Sequence, residues 1–156
     1  MKTSPYQILI LRLIIGALFF SIGLSKIHAG WLGTDAHLVP QLETYRQTST
    51  PAQLWYLDHV AVPYASLWAR LISGGEIALG ISLMLGLLSR LSSGIGIILL
   101  LNIYAANGSL FSLSLFATPW GAPLLGSLII IFLSRAGRWV GIDNLLMKTN
   151  SRSILW

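Results

Sequence analysis

From Leu91 to Ser134 the chain runs for 44 residues without a charged side chain. That is too long for one membrane-crossing helix and long enough for two, since about 20 predominantly apolar residues cross a hydrocarbon core roughly 30 Å thick. Asn107-Gly108-Ser109 and Thr118-Pro119-Trp120-Gly121 supply turn chemistry near its middle. Ile8–Ile27 and Leu67–Leu88 are two further apolar stretches of spanning length. With 54% hydrophobic and only 10% charged residues, the chain has the composition of a protein that lives in the lipid bilayer. Backbone groups in lipid must bond internally, which leaves helices or a closed barrel. The long apolar runs do not alternate, so helices are expected. The resulting reading is an all-α fold, a four-helix transmembrane bundle in one domain over residues 1–156, with spans at about 8–27, 67–88, 91–106 and 121–134.

Cations set the expected orientation. Lys2 and Arg12 lie at the start, Arg90 between the second and third spans, and Arg135, Arg138, Lys148 and Arg152 after the fourth. The loop between the first two spans carries Asp35, Glu43 and Asp58 against Arg46. The positive-inside rule therefore puts both termini and the Arg90 turn in the cytoplasm and the long loop outside. The net charge of +5 is spread over membrane flanks, so it reads as topology signal and headgroup contact, and no nucleic-acid partner is expected. The first apolar run is long for a signal peptide and is interrupted by Arg12, so it is expected to remain as a helix.

The absence of cysteine removes thiol redox chemistry, disulfides, iron–sulfur clusters and thiolate metal sites from this chain. His28, His37 and His59 all fall in the outer loop or at its edge, where histidines are more often solvated than metal-bound. A membrane haem needs axial ligands facing each other inside the bundle, so neither haem nor metal is expected. Residues 28–66 should carry short interfacial helices. Thr50-Pro51-Ala52-Gln53 has capping-box spacing with proline at the first helical position, predicting a helix to about His59, and Pro40 starts another through Arg46. Trp31, Trp55, Tyr56, Tyr64 and Trp68 suit an aromatic belt at the membrane surface, or a lid over a cavity that opens outward.

Glu76 lies inside the second span, about nine residues in, and so roughly 14 Å deep at 1.5 Å per residue. A carboxyl group at that depth normally faces protein or a watery cavity, and is paired, protonated or in use. Helical periodicity puts Ala69, Ser73, Glu76, Gly80 and Leu83 on one face, and a ladder of Gly74, Ala78, Ser82 and Gly86 on roughly the other side, where tight helix packing is expected. On the first helix Arg12, Gly16, Phe19, Gly23 and Lys26 form a narrow stripe, whose two glycines would let a helix or a flat ligand approach closely. Partners for Glu76 are therefore sought across helices: Arg12 or Lys26, with Asn102 and Tyr104 as neutral candidates. Such a polar set either fixes helix register or serves a function.

These residues carry a resemblance. The first helix reads Arg12-x3-Gly16-x2-Phe19-x3-Gly23-x2-Lys26, the second Glu76-x3-Gly80-x2-Leu83-x2-Gly86-x3-Arg90, and the tail Gly137-Arg138-x2-Gly141-x-Asp143. Over nearly its whole length the chain resembles the DoxX/DoxD family of small bacterial and archaeal membrane proteins, and its long outer loop and Ala136–Asp143 tail lean toward the DoxD-like branch. That family includes the membrane subunit of thiosulfate:quinone oxidoreductase. The resemblance implies a multi-pass protein of the cytoplasmic membrane, a quinone, an external sulfur-type electron donor and a partner subunit.

Residue chemistry is compatible with that implication. A quinone headgroup gains protons on reduction, so its site needs a titratable group and donors inside an apolar pocket. Glu76 would relay the proton and Arg12 or Lys26 would stabilise negative charge, with Gly16, Phe19, Gly23, Gly80, Asn102 and Tyr104 shaping a slot between the first two helices. The net-acidic outer loop counts mildly against thiosulfate binding by that loop alone. Two other readings stay open: a non-catalytic accessory or assembly subunit of a membrane complex, and a small proton- or cation-linked transporter. A transporter would be expected to show duplicated or interrupted helices, and no convincing internal repeat is present.

Overall fold

The computed structural model describes residues 5–34, 36–134, 137 and 141–144. Lys2, Asp35, Arg135, Arg138, Lys148 and Arg152, which enter the orientation argument, lie outside the described residues. Helices dominate: α1 (Pro5–His28), α2 (Leu38–Arg46), α3 (Pro51–Tyr56) continued by a π-turn (Leu57–Ala61), α4 (Ala65–Leu85), α5 (Ser89–Ala106), a 3-10 turn (Ser109–Phe111), α6 (Ser114–Ala117) and α7 (Ala122–Ser134). Among the described residues α1, α4 and α5 are long and apolar enough to cross a membrane. α7 is a 13-residue helix, covering about 20 Å of a core roughly 30 Å thick. The expectation of a fourth span over 121–134 is therefore met there only by a shorter apolar helix.

Within lipid, helices gain little from hydrophobic transfer and associate through close packing. α1 runs along α4, α5 along α7, and the pairs meet through α4–α5 and α1–α7 contacts. The shared core includes Phe19, Leu79, Leu83, Leu100, Leu128 and Ile131. The α1–α4 seam is the closest approach. A Cβ built on Gly80 would stand 2.5 Å from the backbone nitrogen of Phe20, and one on Gly16 2.8 Å from a Met84 side-chain carbon. Gly80→Val is therefore expected to part the two helices at a cost of about 1–3 kcal/mol, the range for overpacking a tight site. Thermal midpoints in detergent check this against Gly74→Ala, where a Cβ meets nothing within 4 Å and no change is expected. A Gly80→Val protein as stable as the parent would mean the seam can open without loss.

The turn between α4 and α5 departs from the expected boundaries of 67–88 and 91–106. α4 stops at Leu85 because Gly86 adopts φ 65°, and the Leu87 amide then bonds back to the Ser82 carbonyl at 3.0 Å. This is the usual glycine-terminated helix end. α5 starts early, at Ser89, because the carboxylate of Asp143 accepts from the Leu88 amide at 2.6 Å and the Ser89 amide at 2.9 Å. Leu88 itself sits at φ 49°, a conformation that costs an L-residue roughly 1–2 kcal/mol and that the Asp143 bond helps to hold.

Outside the long helices, Thr50 caps α3 as its spacing predicts, its hydroxyl accepting from the Gln53 amide at 3.4 Å. The helix is expected to reach about His59; instead it widens after Tyr56 into the π-turn. The indole of Trp68 donates to the Val60 carbonyl of that turn at 3.0 Å. α2 begins at Leu38, slightly ahead of the predicted Pro40 start. Leu38, Leu42, Leu57, Ala61, Ala65 and Ala69 form a second, outer core that seats α2 and the π-turn on α4.

Candidate functional site

Glu76 is only 4% exposed, on an α4 face shared with buried Ala69, Ser73, Gly80 and Leu83. The packing of α1 against that face brings Lys26 to it. The Lys26 ammonium donates to Oε1 of Glu76 at 2.6 Å, with side-chain exposures of 21% for Lys26 and 5% for Glu76. The pair is therefore lopsided: the lysine borders open space while the carboxylate lies behind it. The other carboxylate oxygen, Oε2, is buried and meets no hydrogen-bond donor among the described residues. A buried acceptor left in that state costs about 1–3 kcal/mol, more for a charged group.

The open space is a cavity of about 230 Å3 between the ion pair and α2. Lys26 forms part of its wall beside Trp31, Tyr45, Trp68 and Asn102, and Ile72, one helical turn from Glu76, lines it too. The ammonium also stands 5.2 Å from the Trp31 ring centroid, a cation–π distance. Asn102 donates its amide to the Tyr56 hydroxyl. Burial pushes the Tyr56 phenol above its ordinary pKa, opposed by that hydrogen bond, so Tyr56 is a neutral group at physiological pH. Gln53 donates to the Ala106 carbonyl at 3.0 Å, fixing α3 to the end of α5 beside the cavity.

The other expected site residues lie elsewhere. Arg12 is 2% exposed but far from Glu76: it is 14 residues from Lys26 along α1, about 21 Å at 1.5 Å per residue. Its guanidinium lies against Gly86 and Gly141, within electrostatic reach of Asp143. Arg12 thus stands apart from Glu76, and the cation beside that carboxylate is Lys26. Tyr104 donates to the carbonyls of Trp120 and Gly121 and pins the turn before α7. Gly16, Gly23 and Gly80 carry the α1–α4 seam, where a Cβ at Gly23 would stand 2.8 Å from the Ile77 amide nitrogen, and Phe19 is core. The stripe is filled by helix packing, and the space for a ligand lies above it, at Lys26 and Asn102. The histidines do not converge: among the described residues no group of three or more His, Asp or Glu is arranged to hold a metal.

Sequence reasoning did not assign Trp31, Tyr45, Tyr56, Trp68 or Asp143 a place at either cluster. The outer aromatics were visible only as a belt or lid, because their partners come from distant segments. Asp143 carried a signal as the last residue of the glycine-spaced tail motif.

Three helices fit to cross a membrane, with a lysine–glutamate pair buried between two of them, define a multi-pass integral membrane protein. Residues 7–111 match the DoxX family, and the chain belongs to that family. The matched region contains both members of the ion pair, whereas Asp143 lies beyond it. No curated protein and no solved structure matches the chain.

Proposed function

We propose that this DoxX protein is a quinone-linked oxidoreductase subunit of the cytoplasmic membrane. It spans the membrane four times with both termini inside, and works beside a partner subunit to pass electrons from an external, sulfur-type donor to membrane quinone. The observation that carries this reading is Lys26 in the wall of an aromatic cavity, paired behind that wall with a buried Glu76 whose Oε2 meets no donor among the described residues. The residues fit such a headgroup. An apolar cavity of about 150 Å3 admits benzene, so 230 Å3 accommodates a substituted ring. The quinone, when bound, supplies a two-electron acceptor that gains two protons as it becomes quinol. Lys26 would hold a ring oxygen and stabilise negative charge on it, Asn102 would orient the ring, and Trp31 and Trp68 would flank it. Glu76, shielded from water by Lys26, would store and deliver a proton.

Purification in gentle detergent tests the reading. Bound quinone is expected in the extract, together with thiosulfate- or sulfide-dependent quinone reduction in membranes. A wild-type protein with neither, recovered in a stable complex, would instead support the accessory-subunit reading. Sidedness is tested with Thr48→Cys in this cysteine-free chain. The exposed position after α2 is expected to react with an impermeant maleimide from the outer face. Labelling only from the cytoplasmic face would reverse the topology and the donor side with it.

A further inference from the structure

The roof of the cavity is built more lightly than its floor. α2 has nine residues and no side-chain cap on its first turn, and isolated helices shorter than about 12–15 residues are marginal in water. Its underside carries buried Leu38 and Leu42, and Gln41 and Tyr45 line the cavity with them. Among the described residues a single ion pair joins α2 to the rest of the molecule: Arg46 Nη2 to Asp58 Oδ1 at 2.6 Å, with side chains 43% and 39% exposed. Asp58 belongs to the π-turn, whose Ala61 lines the same cavity. On one side of α2 the chain passes Gly30, at φ 87° with nothing within 4 Å of a built Cβ. On the other it passes residues 47–50, ending in extended backbone at Thr50 with ψ 160°.

We propose that α2 is a hinged lid. It moves about Gly30 and the 47–50 connection when the Arg46–Asp58 latch parts, and it opens the cavity to the outer water. A water-borne reductant would then meet the contents of the cavity from above, while the Lys26–Glu76 floor stays closed to the aqueous phase. The assignment of the visitor as a reductant rests on the quinone reading and the proposed topology; the motion of the lid does not. An exposed ion pair is weak enough to open transiently, which suits a latch better than a permanent fastening. Lys26 is the one cation among the described lining residues, and its charge is already met by the Glu76 carboxylate behind it.

The lid is tested by thiol labelling, with no need for enzyme activity. Ala106 lines the cavity, and Ala106→Cys places a thiol there in a chain otherwise free of cysteine. In membranes exposing the outer face, a water-soluble, impermeant maleimide is expected to modify that thiol slowly. Adding Arg46→Ala or Asp58→Ala should raise the rate about 1.4- to fivefold, the range for losing an exposed ion pair, while labelling of Thr48→Cys stays unchanged. In a second variant, the charge swap Arg46→Asp with Asp58→Arg should return modification at position 106 toward the parent rate. Equal rates in all these proteins would overturn the lid. So would modification only by a lipid-soluble maleimide, since that would make the cavity a side pocket of the bilayer. A working lid without quinone reduction would leave this inference standing and remove the redox reading.

Discussion

Asp143→Ala is expected to lower stability by about 3–5 kcal/mol, the cost of breaking a buried charge pair. At roughly 2–4 °C per kcal/mol for a chain of this size, that is a fall of about 6–20 °C in thermal midpoint. The carboxylate accepts from the Leu88 amide at 2.6 Å, the Ser89 amide at 2.9 Å and the Ser89 hydroxyl at 2.7 Å. It thereby closes the first turn of α5 and steadies the left-handed Leu88. It also supplies the negative charge near Arg12, whose guanidinium is packed against Gly86 and Gly141. Alanine removes the cap and the counter-charge together. Asp143→Asn should fall in between, because one oxygen still accepts. If the charge matters as argued, Arg12→Met in the Asp143→Ala background should recover part of the loss. Midpoints from size-exclusion profiles of heated, detergent-solubilised protein decide the matter. A loss under about 1 kcal/mol for Asp143→Ala would leave the cap without energetic weight.

On the proposed quinone function, Glu76→Gln is expected to leave the fold in place while lowering quinone reduction by about 10²–10⁴, the usual contribution of a positioned proton donor. Glutamine keeps the volume and still accepts from Lys26, but it cannot titrate. Lys26→Met should behave differently. It leaves a carboxylate that is 5% exposed at the side chain without its 2.6 Å ammonium partner, so the protein should lose several kcal/mol of stability as well as activity. Combining the two substitutions should return stability toward the parent without returning activity. Quinone reduction measured at matched protein levels, alongside thermal midpoints, separates these outcomes. Full activity in Glu76→Gln would remove the glutamate from the proton path.

Much of the architecture was legible because lipid imposes a simple rule: apolar stretches of fixed length. α1, α4 and α5 lie close to where composition placed them, and the Thr50-Pro51 signal marked the start of α3. The interior placement of Glu76 was legible for the same reason, since a carboxylate facing lipid is costly. Its partner was not. Arg12 and Lys26 share one stripe of α1 at helical spacing, and only the register of α1 against α4 selects Lys26. Asn102 and Tyr104 were judged by depth alone, yet they point to Tyr56 and to the Trp120–Gly121 turn. A cavity beneath the loop aromatics was one of two open readings, but its wall was not legible, because it is assembled from α1, α2, α4 and α5, with Trp31 and the π-turn added, and no local pattern records that meeting. The start of α5 depended on Asp143, more than 50 residues downstream of the turn it holds.

The contact between Arg12 and the neighbourhood of Asp143 also imposes an order on biosynthesis. The two positions are 131 residues apart, so at about 5–20 residues per second the ribosome needs roughly 7–26 s to deliver the aspartate after the arginine. Throughout that interval the first helix is in the membrane with a guanidinium that has yet to meet its counter-charge, near enough to one end of α1 to reach lipid headgroups. Closure of the Arg12 end of the bundle therefore waits for residue 143. A nascent protein broken off before residue 143 would hold every candidate spanning helix and the Lys26–Glu76 pair, yet lack the bolt that shuts the opposite end.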